Sequence, residues 1–287
     1  MRYLATHITR YKYQLPVSQC VSEARITPRA LPGQQKVLET RIHIEPEPVV
    51  LESRKDYFGN EVTAFSVFRS HEELTATAQS VVEVESFGET EASERSISWE
   101  EVRRRLAKPD DDETLDAYEF VFDSPYVAAD PRLAAYAATS LTPGRPLAEA
   151  AREIATRIFK DFRYKPKSTS IDMPLIKVFD LRRGVCQDFA HIMIGALRSQ
   201  RLAARYVSGY LRSGADLQGS EASHAWLSVY IPGSGWLDLD PTNDTVPSTG
   251  HVTVAWGRDF GDVTPIKGVS LGGGKQTVEV EVTVRPV

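Results

Sequence analysis

Cysteine is scarce in this 287-residue chain, which contains only Cys20 and Cys186. Two cysteines cannot build a disulfide framework, and free thiols suit a reducing compartment. The chain also lacks any apolar run of about 18 residues, and its first residues have no uninterrupted apolar stretch of the kind found in signal peptides. We therefore expect a cytoplasmic protein without a membrane span.

Clusters of positive charge are also missing, because no block of five or more basic residues occurs. This argues against a nucleic-acid partner. The net charge is -5, and residues 83–123 alone hold 14 acidic and 5 basic residues, a local net charge of -9. That stretch lacks the spaced ligands and the glycine of a calcium-binding loop. We expect a solvated connector there, and neither a metal nor another cofactor.

Three regions differ in their sequence patterns. Residues 1–85 contain runs such as Thr40–Ile44, which alternates, and Val62–Phe68, which is rich in β-branched and aromatic residues. These patterns predict an N-terminal β-sandwich domain. Residues 86–124 form the acidic connector, and residues 125–287 carry helical patterns followed by strand patterns, which predicts an α+β domain.

Individual elements follow from periodicity and from turn residues. We expect a short helix near 99–106, helices at 125–139 and from 147 to about 162, and a loop over 168–180. A further helix begins at Cys186. Strands follow at 204–211, 224–230, 236–240 and 276–284, and the last of these is grouped with the 125–287 domain.

Cys186 opens the most informative of these helices. Apolar residues recur at positions 189, 192, 193, 196 and 197, the spacing of one buried helix face. Cys186 precedes Phe189 by three residues and Ala190 by four, so it occupies the same face at the helix start. The positive end of the helix dipole favours a thiolate there, and a thiolate is a nucleophile. The alternative is a small buried apolar residue, as most free cysteines are.

A histidine and two carboxylates follow the cysteine on strand-like segments. His224 opens one segment, and Asp238 and Asp240 alternate with leucines in the next. Cysteine, histidine and carboxylate in this chain order suit a thiol triad. In such a triad the histidine removes the thiol proton and the carboxylate orients the histidine.

The hairpin between the two segments distinguishes the two carboxylates. If Tyr230 pairs with Trp236, the leucine and valine side chains of both strands share one face. His224 then lies on the other face with Asp240 diagonal to it, while Asp238 is roughly 7 Å farther along the strand. We therefore predict that Asp240 is the third member of the triad.

Three motifs follow one another along the chain: Gly184–His191 (GVCQDFAH), His224–Trp226 (HAW) and Trp236–Thr242 (WLDLDPT). In sequence and in order they resemble the transglutaminase-like superfamily. Two further stretches, Asp56–Asn60 (DYFGN) and His251–Phe260 (HVTVAWGRDF), resemble bacterial members that carry an added N-terminal β-domain. The resemblance covers most of the chain and is weakest in the acidic connector.

The resemblance implies a papain-like α+β core and acyl transfer through a cysteine thioester. It carries the nucleophile onto Cys186, the base onto His224 and the orienting carboxylate onto Asp240. Hydrolysis of a peptide or isopeptide bond is the expected reaction, with a peptide or protein as the substrate. The alternatives are transamidation at glutamine and a non-catalytic binding module on the same fold. The backbone N–H of Cys186 and the Tyr164 hydroxyl are candidate donors to the oxyanion.

The remaining histidines show no partner in the sequence. His191 lies five residues past Cys186 and off the face of its thiol, so we expect a structural role for it. Zinc sites usually draw on paired cysteines or histidines at short spacing, which this chain lacks. The other histidines are His7, His43, His71 and His251.

Overall fold

The fold has a β-rich part built from both ends of the chain and an α+β part built from the middle. The structure is a computed structural model that describes residues 1–85, 97–214, 217–220 and 222–287. The first part of the predicted acidic connector, residues 86–96, lies outside the described residues. Within the described ranges, no helix has the length and apolar character needed to cross a bilayer.

Thirteen strands and seven α-helices make up the described ranges. The strands are β1 (Arg2–Ala24), β2 (Gln35–Glu45), β3 (Val50–Lys55), β4 (Glu61–Val67), β5 (His71–Val84), β6 (Arg163–Tyr164), β7 (Arg183–Gly184), β8 (Ala204–Leu211), β9 (His224–Ile231), β10 (Gly235–Leu239), β11 (His251–Gly257), β12 (Ile266–Gly272) and β13 (Gln276–Pro286). The helices are α1 (Trp99–Leu106), α2 (Asp112–Tyr118), α3 (Pro131–Ala138), α4 (Leu147–Asp161), α5 (Leu175–Leu181), α6 (Cys186–Arg198) and α7 (Phe260–Val263).

The long strand β1, with 23 residues, organises the β-rich part. Its first half lies between β5 and β13, and its second half lies between β4 and β12. Strands β2 and β3 extend the same seven-stranded sheet beyond β5 and β4. Apolar residues from both halves, among them Cys20, Ile44, Phe65 and Leu74, form one buried cluster. The N-terminal region therefore has the buried core that the sequence predicts. The strands around this core belong to one hydrogen-bonded sheet, and β1 runs through both halves of that sheet.

The last two strands belong to this sheet, which corrects the grouping of the final strand with the 125–287 domain. β13 pairs with β1 along its whole length, from Tyr3 opposite Pro286 to Tyr13 opposite Gln276. β12, which the sequence analysis did not anticipate, pairs with the second half of β1. Alternation of apolar and polar residues identifies a strand, but it does not identify the strand's partner.

The helical segment differs from the prediction in two places. The stretch predicted as a helix at 125–139 is helical only from Pro131, because Asp130 caps that helix by accepting from the N–H of Arg132. The predicted loop over 168–180 was wrong at its end, where α5 runs from Leu175 to Leu181. A helix of seven residues gives less than two turns of periodicity, and the proline that precedes it is typical of a loop.

The α+β part packs α6 against a four-stranded antiparallel sheet of order β10-β9-β8-β11. Every residue of β8 and β9 is buried. Trp236 pairs with Tyr230 in the β9–β10 hairpin, which is the predicted register. This register determines which polar side chains meet at the open end of the hairpin.

Two buried amide side chains join the parts along the edge strand β11. Gln35 donates to the carbonyl of Thr253 at 2.8 Å and accepts from its N–H at 2.9 Å. Asn60, in the turn of the DYFGN motif, makes the same pair of contacts with Trp256 at 2.8 and 2.9 Å. Because an edge strand otherwise leaves backbone groups unpaired, these contacts fix the β-rich part on the sheet that carries the site.

Candidate active site

Cys186 is the first residue of α6, as the apolar periodicity predicts. The carboxylate of Asp188 accepts from the N–H of Val185 at 2.8 Å and from the hydroxyl of Thr169 at 2.7 Å. A Cβ on Gly184 would lie 2.5 Å from an oxygen of Asp188, so only glycine fits before the helix. These contacts hold the helix start in place and leave Cys186 partly exposed, whereas Cys20 is buried in the β-rich core.

His224 and Asp240 meet at the open end of the β9–β10 hairpin. Nε2 of His224 lies 2.8 Å from Oδ2 of Asp240, and both side chains are 0% exposed. The other oxygen, Oδ1, accepts from the N–H of Thr242 at 2.9 Å and from that of Asn243 at 3.3 Å. The hairpin register therefore brings the histidine to the carboxylate that the sequence analysis selected.

Asp238 occupies a different environment. Its carboxylate accepts from Nε1 of Trp226 at 3.1 Å and from the hydroxyl of Ser228. The indole and the hydroxyl belong to β9, on the same face as His224 but farther along the strand. Asp238 therefore stabilises the hairpin, and Asp240 is the carboxylate that contacts the histidine.

The charges of the site favour a protonated His224. Burial disfavours the imidazolium, but the negative charges of Asp240 and Cys186 outweigh it and raise the pKa of His224 to about 10. For Asp240, burial acts to raise the pKa of the carboxyl group. The neighbouring His224 and His251 outweigh that effect and hold this pKa well below its usual range. Cys186 is thus close enough to His224 for the two to interact electrostatically.

The proton on His224 can be assigned from its neighbours. An ionised carboxylate only accepts hydrogen bonds, so Nε2 carries the hydrogen that points at Asp240. Nδ1 is buried and has no hydrogen-bond partner in the part of the chain that the structure describes. The backbone of Gly219 closes over it, because a Cβ at that residue would lie 2.7 Å from Nδ1. Nδ1 is therefore the ring nitrogen that the contact with Asp240 leaves unpaired.

Two polar side chains at Asp240 were missed by the sequence analysis. Asn243 donates from Nδ2 to Oδ2 of Asp240 at 2.8 Å, and it also bonds both backbone groups of Gln218. Nε2 of His251 lies 3.4 Å from the same Oδ2. An aspartate often bonds backbone groups two residues later, so the turn after Asp240 could have indicated Asn243. Nothing local indicates His251, because it reaches Asp240 from β11.

Two tyrosines border Cys186. Tyr164 pairs with Gly184 in the short parallel β6–β7 ladder, and burial and the charge of Cys186 raise its pKa to about 12. Its hydroxyl therefore remains a hydrogen-bond donor at neutral pH. Tyr206, on β8, was not anticipated. It is 2% exposed, and burial followed by the charge of Cys186 raises its pKa well above the usual value.

The contacts of His191 fit a structural role. Nε2 accepts from the N–H of Phe260 at 3.2 Å, and the ring stacks on Tyr126. Burial lowers the pKa of His191 to about 4, so the ring is neutral. Across the described ranges, no group of three or more histidine, cysteine, aspartate or glutamate side chains is arranged to hold a metal ion.

Two family models match the chain. The bacterial transglutaminase-like N-terminal region matches residues 3–83, and the transglutaminase-like superfamily model matches residues 134–241. The second match contains Cys186, His224 and Asp240.

Whole-chain relatives occur in mycobacteria. An uncharacterized protein of Mycobacterium tuberculosis (strain ATCC 25618 / H37Rv) is 36% identical over 297 residues, which cover 99% of this chain and 93% of the relative. One from Mycobacterium leprae is 34% identical over 291 residues, with 99% and 98% covered. A shorter match of 92 residues, 33% identical, covers 30% of this chain and 14% of a protein-glutamine gamma-glutamyltransferase of Pseudomonas aeruginosa.

A solved structure has the same fold. It is a candidate cysteine protease from Cytophaga hutchinsonii, which matches with a TM-score of 0.77 at 21% identity and covers 99% of this chain and 90% of that one. Together with the relatives and the two family models, the likeness extends over both parts of the molecule. The chain belongs to the transglutaminase-like superfamily and carries the bacterial transglutaminase-like N-terminal region.

Proposed function

We propose that the protein is a cysteine-dependent acyl-transfer enzyme that hydrolyses an amide bond of a peptide or protein. One observation carries the proposal. A partly exposed thiol at a helix start interacts electrostatically with a buried histidine, and Nε2 of that histidine lies 2.8 Å from a buried carboxylate. Nucleophile, base and orienting group are arranged in this way in thiol acyl transfer.

The reaction has two halves. Nδ1 of His224 holds the proton taken from Cys186, in line with the raised pKa of this histidine. The thiolate attacks the carbonyl carbon to give a tetrahedral oxyanion. The C–N bond then breaks while His224 returns the proton to the leaving amine, which leaves a thioester on Cys186. Water attacks the thioester as His224 removes its proton, and collapse of this second intermediate releases a carboxylic acid and the free thiol.

The helix start supplies the environment for the oxyanion. The first N–H groups of a helix have no partner within the helix, so the N–H of Cys186 is free to donate to the developing charge. A donor of this kind contributes about 3 kcal/mol to the stability of the transition state. The hydroxyl of Tyr164 is the second proposed donor, because it stays protonated beside the thiol.

Water is the acceptor that fits the histidine best. The side chain of His224 is 0% exposed, and the backbone of Gly219 packs over Nδ1. The incoming acceptor gives up its proton at this atom. A water molecule needs little space there, whereas a lysine side chain needs a wider approach. The restricted approach supports hydrolysis over transamidation.

Alkylation of Cys186 tests the proposed mechanism without knowledge of the substrate. We expect iodoacetamide to modify Cys186 at pH 7 much faster in the native protein than in His224→Ala, with site occupancy read by mass spectrometry. Cys20, buried in the β-rich core, serves as the internal reference. Equal alkylation rates in the two proteins would refute the mechanism and favour a non-catalytic binding module.

Turnover can be examined with matched substitutions once a peptide substrate is found in a library screen. Cys186→Ala should abolish hydrolysis, because it removes only the nucleophilic sulfur. Cys20→Ala makes the same chemical change in the other part of the molecule and should leave the rate unchanged. Hydrolysis that survives in purified, folded Cys186→Ala would exclude Cys186 as the nucleophile.

Transamidation is the second candidate, since the match to a protein-glutamine gamma-glutamyltransferase favours it. It uses the same thioester and differs only in the group that attacks it. A glutamine peptide incubated with the protein, with and without a primary amine, separates the two reactions by mass. Gain of the amine's mass indicates transamidation, and conversion of glutamine to glutamate indicates hydrolysis.

A further inference from the structure

Asp240 receives more hydrogen-bond donors than the orientation of one histidine requires. Oδ1 accepts two backbone N–H groups, from Thr242 and Asn243. Oδ2 lies within hydrogen-bond distance of three side-chain nitrogens, those of His224 and Asn243 at 2.8 Å and that of His251 at 3.4 Å. These five donors exceed the roughly four lone-pair sites of a carboxylate, so Oδ2 is shared among the three side chains.

The sheet places His251 beside this carboxylate from the side opposite the hairpin. His251 begins β11, whereas His224 begins β9, and β8 runs between them. Gly209 of β8 pairs with both His224 and Thr253, so its face is the face that both histidines share. A Cβ on Gly209 would lie 2.2 Å from the Trp226 ring. The missing side chain of Gly209 makes room for the Trp226 ring on this face. The imidazole rings of His224 and His251 lie on the same face with their centroids 6.4 Å apart.

The contacts of His251 assign its proton. Oδ2 of ionised Asp240 can only accept, so the Nε2 that faces it carries the hydrogen. Nδ1 is buried without a hydrogen-bond partner among the described residues, so Asp240 is the carboxylate that this ring contacts. The ring also contacts Trp226 edge-on, with centroids 5.3 Å apart. His251 therefore has two separable properties: an N–H donor directed at Asp240 and a ring that packs on an indole.

We propose that His251 is a positioning residue for the acyl-transfer site, which holds Oδ2 of Asp240 through its Nε2–H and thereby fixes the carboxylate that orients His224. This inference rests on the proposed function. Without this donor, Oδ2 is held by His224 and Asn243 alone. The carboxylate is then fixed less firmly, and the imidazole loses part of the orientation that brings Nδ1 to Cys186.

Two substitutions separate the donor from the ring. His251→Gln keeps an N–H donor that can reach the position of Nε2 but removes the aromatic ring. His251→Phe keeps the ring against Trp226 but removes the donor. A purely structural role of His251 predicts that Phe is the better replacement, whereas the positioning role predicts that Gln is.

The readout is the rate of Cys186 alkylation at pH 7, with thermal melting as a measure of folding. We expect His251→Phe to fall about tenfold to a hundredfold below the native rate, the range for one hydrogen bond to a charged group. His251→Gln should stay within a few-fold of the native rate. If His251→Phe does not fold, the Cys186 alkylation rate of His251→Gln decides alone. A near-native rate supports the proposal, and a rate at least tenfold lower overturns it.

Two results overturn the positioning role while leaving the proposed function intact. The first is a native alkylation rate in folded His251→Phe, and the second is a rate in His251→Gln as low as that of His251→Phe. His224→Ala, measured in parallel, reports on the proposed function itself. If its rate equals the native rate, His224 does not activate Cys186, and both proposals fall together.

Discussion

The substitution Asp240→Asn would remove the negative charge beside His224 while keeping the shape of the side chain. The pKa of His224 rises from the ordinary value of 6.5 to about 10. That difference corresponds to about 5 kcal/mol in favour of the imidazolium. Burial acts in the opposite direction, so the attraction from Asp240 and Cys186 outweighs the cost of burying the charge.

We expect Asp240→Asn to lower kcat/KM for amide hydrolysis by on the order of 10³-fold, equivalent to about 4 kcal/mol. The amide can also donate where Oδ2 now accepts, which would favour the wrong tautomer of His224. The assay is hydrolysis of a reporter peptide under kcat/KM conditions. Circular dichroism and thermal melting establish that the variant is folded.

Asp238→Asn is the matched control for this experiment. The same substitution two residues away removes a charge that contacts Trp226 and Ser228 and does not contact His224. We expect less than a tenfold change in kcat/KM. A folded Asp240→Asn protein with near-native activity, or a larger loss in Asp238→Asn, would refute the assignment of Asp240 as the orienting carboxylate.

Three further predictions concern the support of the site. Gly184→Ala should lower the free energy of unfolding in urea by about 1–3 kcal/mol, because its Cβ would overlap Asp188. Gly250→Ala is the control and should be neutral, because no atom lies within 4 Å of its Cβ. Equal stabilities of the two variants would contradict the predicted overlap. Gly219→Ala should slow alkylation of Cys186, because the new Cβ would lie 2.7 Å from Nδ1 of His224. The φ of +91° at this position also strains any residue other than glycine. A native alkylation rate would show that the backbone at 219 does not cover Nδ1 of His224. The raised pKa of His224 contributes stability that is fully present below pH 6.5 and is lost as the pH rises towards 10. The free energy of unfolding of the native protein should therefore fall over that range, and it should fall less in His224→Ala; parallel curves would exclude a charged His224 in the folded state.

The predictable part of the site lies in short segments with strong local patterns. The sequence predicts Cys186 at a helix start because apolar residues at helical spacing follow it from position 189 to position 197. The β9–β10 hairpin was placed in register because leucine and valine side chains must share its buried face, and this register selected Asp240. In both cases, residues close in sequence determine the geometry.

The rest depends on contacts between distant segments. His251 reaches Asp240 because β11 pairs with β8, and neither strand carries a sequence signal for the other. The pairing of β12 and β13 with β1 was missed for the same reason, since alternation reveals a strand without its partner. α5 was missed because seven residues between Pro174 and Arg182 are too few for a clear helical period.

The pairing of β1 with β12 and β13 means that β1 cannot complete its hydrogen bonding until those two strands have been synthesised. During synthesis, β4 and β5 are available to β1 early, but its other edges stay open until residues 266–286 have emerged. Open strand edges are templates for pairing with other chains. The nascent β-rich part therefore exposes strand edges until β12 and β13 are available, even though it already carries Gln35 and Asn60, which later bond β11. Circular permutation that links β13 directly to β1 would close this interval, because the two strands would then leave the ribosome as one hairpin.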